Sequence, residues 1–165
     1  MMKLPKTFLR GSIPPLITPF LNGRVDYDAY AGLVEFQVRN GSHGILVNGT
    51  TSEPASLTVE ERNRVVDVAI EACAGKPPIV AATGSQNLHE TSALTEHAEK
   101  AGADAILIVT PYYTRPPQRG LVEYYKKLGK QTSLPWMIYH IPGRAAVSVS
   151  LDTLDKISKA CPNFV

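Results

Sequence analysis

Cysteine is scarce in this chain, with two residues in 165, and the two positions, Cys73 and Cys161, form no C-x-x-C pair. That excludes a disulfide framework and a thiolate metal knuckle, and it reads as two reduced thiols in a cytoplasmic protein. Histidine is sparse too. His43, His89, His97 and His140 give neither H-x-H nor H-E-x-x-H, so no metal site is expected. No stretch reaches the roughly 18 apolar residues of a membrane span, and residues 1–10 lack the apolar core of a signal peptide. The phosphate-cradling patterns G-x-G-x-x-G and G-x-x-x-x-G-K-[ST] are missing, which leaves a nucleotide without support, and no cofactor is called for. An excess of one charge is missing as well: 17 Lys plus Arg stand against 15 Asp plus Glu, a net +2. Lys126, Lys127 and Lys130 form the only basic cluster, too little for a nucleic-acid footprint.

What is present is a repeat. Short apolar runs at 13–18, 45–47, 79–82, 106–109 and 138–139 recur about thirty residues apart. Between them lie segments of helical periodicity with readable ends. Asp26 caps a helix with Tyr30, Leu33, Val34 and Val38 on its apolar face, ended by Asn40-Gly41. Thr58-Val59-Glu60-Glu61 is a capping box that opens a helix burying Val65, Val66, Ala69 and Ile70. A third helix spans about 87–101 and stops at Gly102. A fourth carries Leu121, Tyr125 and Leu128, and a fifth starts at Ser150 and stops before Pro162. Five strand–helix units imply a parallel sheet. A five-stranded doubly wound open sheet fits this pattern. So do five units of a (β/α)₈ TIM barrel, which takes roughly 250 residues for eight units and therefore about thirty for each. The repeat length favours the barrel, with residues 1–165 as one partial domain and Phe164-Val165 opening a sixth strand.

The polar residues collect at the C-terminal ends of the strands, where a parallel barrel builds its active site. The Gly49-Thr50-Thr51 loop combines close backbone approach with two hydroxyls and suits a small carboxylate. Tyr113 and Tyr139 are phenols on different strand ends that could pass a proton if a hydroxyl linked them, although either alone also reads as packing. Arg144 follows a proline and a glycine, where a guanidinium could grip a second carboxylate or make an ordinary surface ion pair.

Four stretches are recognisable together: 12–20 (SIPPLITPF), 49–53 (GTTSE), 109–116 (VTPYYTRP) and 139–144 (YHIPGR). They resemble the dihydrodipicolinate synthase and N-acetylneuraminate lyase family of class I, pyruvate-dependent aldolases, over nearly the whole chain from about Gly11. The resemblance implies a TIM barrel, a homotetramer, and a lysine that forms a Schiff base with pyruvate or a related 2-keto acid. It implies that Tyr139 shuttles protons at the imine and enamine, that Thr50 connects it to Tyr113, and that Thr50 and Thr51 hold the pyruvate carboxylate. It puts the Schiff-base lysine on the sixth strand, two or three residues after Val165, so the lysine is expected to be absent from residues 1–165. Arg144 points to the synthase branch, where it would grip the carboxylate of the aldehyde, aspartate semialdehyde. Ser52, Pro54, His140 and Ala145 depart from the usual motif on that second-substrate side. Another 2-keto acid aldolase or dehydratase therefore stays open, as does a non-catalytic fragment.

Overall fold

The computed structural model describes Pro5 and residues 8–165. The reading of residues 1–10 as free of a signal-peptide core, and the start of the domain at residue 1, lie partly outside those residues. The order of elements is a short hairpin, β1 (Phe20–Leu21) and β2 (Arg24–Val25), followed by α1 (Tyr27–Arg39), β3 (Ile45–Val47), α2 (Val59–Cys73), β4 (Ile79–Ala82), α3 (Leu88–Ala101) and β5 (Ala105–Val109). Then come α4 (Gln118–Gln131), β6 (Trp136–Tyr139), the single turn α5 (Pro142–Ala145) and α6 (Leu151–Ala160).

The helices begin and end where their capping chemistry directs. The Asp26 carboxylate accepts from the Ala29 N–H, and Thr58 and Glu61 form the reciprocal capping box. The Asn87 side chain caps α3, whose far end closes on Gly102 at φ 102°. A left-handed residue costs glycine nothing and lets the chain turn straight into β5. Ser150 caps α6 by accepting from the Thr153 N–H.

β3, β4, β5 and β6 form one parallel sheet in sequence order. A doubly wound sheet needs a point where strand order reverses, and none occurs here. The helices also lie in one row on one face: α1 contacts α2, α2 contacts α3, α3 contacts α4, and α4 contacts α6. Both features are those of a barrel wall, and they overturn the open-sheet alternative. Strand alternation sorts the side chains accordingly. Ile45, Val47, Ala81, Ile106, Ile108 and Trp136 are buried beneath the helices, whereas Leu46, Ala82, Leu107, Val109, Met137 and Tyr139 on the other face are only half-buried. Each large side chain fully buried under the helices contributes roughly 1.5–3 kcal/mol.

The first expected strand, 13–18, is reduced to a single parallel bridge between Pro15 and Leu46. Its physical cause is the pair Pro14 and Pro15, which have no N–H to donate to a ladder. At the other side, Phe164 bridges Trp136, and the Val165 N–H donates to the Trp136 carbonyl. Asn163 secures that segment: its amide donates to the carbonyls of Thr132 (2.8 Å) and Leu134 (3.1 Å), and its Oδ1 accepts from the Trp136 indole (3.2 Å). Among the described residues no helix is long and apolar enough to cross a membrane.

Candidate active site

The loop after β3 is fixed before any ligand arrives. Asn48 takes φ 58°, a left-handed conformation that asparagine tolerates better than most residues, and its Nδ2 donates to the Arg62 carbonyl at 2.9 Å. Thr50–Ser52 then makes a 3₁₀ turn, Glu53 turns left-handed at φ 52°, and Pro54–Ser56 makes a second 3₁₀ turn. Ser52, which stands where the motif usually has glycine, is fully buried. Its hydroxyl donates to the Leu16 carbonyl at 2.6 Å, and its own carbonyl accepts from the Thr18 hydroxyl at 2.8 Å. The substitution thus ties the threonine loop to the first strand.

So held, Thr50 donates from Oγ1 to the phenol oxygen of Tyr139, 3.3 Å away at the end of β6. Both residues, with Gly49 and Arg144, line a cavity of about 590 Å³ at the C-terminal ends of the strands. Four of the six candidate residues are therefore brought together. Thr51 is exposed and is not among the residues lining the cavity. Tyr113 stands apart too: it is left-handed at φ 65°, 91% exposed, and not among the residues lining the cavity.

One side of the cavity was not foreseen from sequence. Arg62 on α2 is 3% exposed, pairs with Glu90 of α3 at 3.2 Å, and donates to the carbonyls of Ala82 (3.2 Å) and Gly84 (3.3 Å). Burial pulls its guanidinium below the ordinary arginine value, and the Glu90 charge opposes that shift. The available signal was an arginine on the same helical stripe as Val65, Val66 and Ala69. Next to it, Tyr124 is linked by hydrogen bonds to Thr91 (3.0 Å) and to the Ser85 carbonyl (3.1 Å), and burial pushes its phenol up to about 12. This network steadies the loop after β4. The lysines among the described residues lie on α3, α4 and α6, or, for Lys76, in the turn after α2, and none of them lines the cavity.

Comparison with known proteins gives this arrangement its family. The profile of the Dihydrodipicolinate synthetase family matches residues 8–165, and the chain belongs to that family. It is 46% identical over 156 residues to the 4-hydroxy-tetrahydrodipicolinate synthase of Aquifex aeolicus (strain VF5), covering 94% of this chain and 53% of that one. The crystal structure of dihydrodipicolinate synthase from Aquifex aeolicus superposes with a TM-score of 0.93 at 46% identity, over 95% of this chain and 54% of the other. The chloride-inhibited dihydrodipicolinate synthase from Acinetobacter baumannii, solved in complex with pyruvate, gives 0.90 at 39% identity, again over 95% and 54%. The chain spans about half the length of the curated relatives it matches. Its fold is accordingly part of a (β/α)₈ barrel.

Proposed function

We propose that this chain furnishes the pyruvate-handling half of a Schiff-base lyase, a 4-hydroxy-tetrahydrodipicolinate synthase that joins pyruvate to aspartate semialdehyde. Residues 1–165 supply five βα units and the opening of the sixth strand, and the nucleophilic lysine follows just after Val165. The observation that carries this reading is the 3.3 Å contact of Thr50 with Tyr139 at the rim of the cavity.

The lysine amine adds to the keto carbon and water leaves, giving an imine. Loss of a methyl proton turns it into an enamine, whose carbon attacks the aldehyde. Each step moves a proton, and Tyr139 stands where a phenol can give and take it, with Thr50 passing it on. Gly49 and Thr50, which line the cavity, hold the pyruvate carboxylate, and Arg144 holds the carboxylate of the aldehyde. Tyr113, projecting from its own chain, completes the relay in a neighbouring subunit of a cytoplasmic homotetramer. A protein continued past Val165, incubated with pyruvate and borohydride and mapped by peptide mass spectrometry, is expected to carry one adduct on that lysine. A protein that gains no mass overturns the reading.

A further inference from the structure

Residues 146–150, which follow Arg144 and α5, belong to no helix or strand, yet their backbone is pinned by three side chains from other elements. The Ala146 carbonyl accepts from Arg115 Nε at 3.0 Å. The Ser148 carbonyl accepts from Gln118 Nε2 at 2.7 Å, and the Ser150 N–H donates to Gln118 Oε1 at 3.0 Å. The Val149 N–H donates to His140 Nε2 at 3.3 Å. Gln118 Oε1 also accepts from the Thr153 hydroxyl at 2.8 Å, so one amide ties the start of α4 to the start of α6.

This strap bears directly on Arg144. A four-residue turn such as α5 cannot stabilise itself, because helix nucleation is unfavourable and too few bonds follow it. It ends on Ala146 in a left-handed conformation, φ 56°. Arg144 itself makes no ion pair among the described residues. The guanidinium's base is thus held by the turn's backbone bonds to Ile141 and Pro142, by the buried Ala145, and by the strap beyond it, which Arg115, Gln118 and His140 fix. Arg115 lies two residues past Tyr113, so the loop carrying the projecting tyrosine and the loop carrying the arginine are tied to each other.

We propose that Arg115 and Gln118 are positioning residues for the second-carboxylate site: they touch no substrate, but by holding residues 146–150 they set how well Arg144 grips the aldehyde. This rests on the reading of Arg144 as the aldehyde's carboxylate partner. Both side chains are exposed, so their removal leaves the core intact.

The test uses the protein continued past Val165, with Arg115→Ala, Gln118→Ala and Gln118→Glu. Amide hydrogen exchange is followed at 146–150, and KM is measured for pyruvate and for aspartate semialdehyde separately. Both alanine variants are expected to speed exchange at 146–150 and to raise the aldehyde KM about tenfold, leaving the pyruvate KM within about twofold. Gln118→Glu keeps the bonds to Ser150 and Thr153 and loses the one to Ser148, so its effect falls between wild type and alanine. Unchanged exchange overturns the proposal, as does faster exchange with an unchanged aldehyde KM or with both KM values raised alike. If the unsubstituted protein forms no pyruvate adduct, the functional reading falls instead, and the exchange rates still decide whether Arg115 and Gln118 hold the strap.

Discussion

Thr50 and Tyr139 are separated by 89 residues in sequence and meet through their hydroxyl oxygens at 3.3 Å. Removing one hydroxyl from a proton relay costs on the order of 10² to 10⁴ in rate. In the protein continued past Val165, Tyr139→Phe and Thr50→Val are each expected to lose that much. The double variant should lose little more than the worse single one, since a relay broken once cannot be broken again. Multiplying losses in steady-state kinetics would mean that the two act independently.

Arg144→Ala should separate the two substrates. Loss of a charge-assisted partner typically costs about 2–5 kcal/mol of binding. The variant is expected to use aspartate semialdehyde poorly while forming the pyruvate imine at nearly the normal rate, as read by borohydride trapping. Equal damage to both steps would remove the arginine from its proposed role.

Residues 1–165 alone are expected to gain no mass from pyruvate and borohydride and to show no turnover. A Schiff-base nucleophile is a desolvated amine inside the barrel, whereas the lysines of α3, α4 and α6 sit on the outer helices, several in exposed i,i+4 pairs such as Lys100 with Glu96. Intact-mass spectrometry decides it, and a stoichiometric adduct on this chain refutes the expectation.

Gly84 lets β4 and β5 approach each other. A Cβ there would run into the backbone nitrogen of Val109 and lie 2.8 Å from its Cγ1. Backbone cannot give way as a flexible side chain can, so Gly84→Ala is expected to destabilise the fold by about 1–3 kcal/mol. The check is urea denaturation against wild type; an unchanged midpoint would show that the sheet relaxes freely.

The repeat was legible because each helix announces its ends chemically: Asp26, Thr58, Asn87 and Ser150 all cap as their positions imply. Two local features escaped. The hairpin of β1 and β2 turns on Asn22 and Gly23, both at positive φ (51° and 77°), which is the Asn-Gly signature of a tight hairpin. It was hidden because two-residue strands show no alternation. The 13–18 run, conversely, has the apolar content of a full strand, but its prolines remove the donors and leave one bridge. At the site, the motif residues Gly49, Thr50, Tyr139 and Arg144 were readable, because hydroxyls and glycine at strand ends signal a binding face. Arg62 was not, because a buried guanidinium depends on acceptors such as Ala82 and Gly84 that only the fold brings to it.

The proline pair also shapes what can join this sheet. Ser12, Pro14 and Leu16 turn their polar groups towards β3, with His43 donating to Ser12, Leu46 to Pro14 and Leu16 to Leu46. By strand alternation, Ile13, Pro15 and Ile17 turn theirs to the flank away from β3. Pro15 leaves a gap in that row of donors, so an arriving strand finds a full set of bonds only where its own acceptors skip the same position. The rim is thus keyed: it discriminates against casual lateral stacking of like chains while leaving room for a neighbour of matching register.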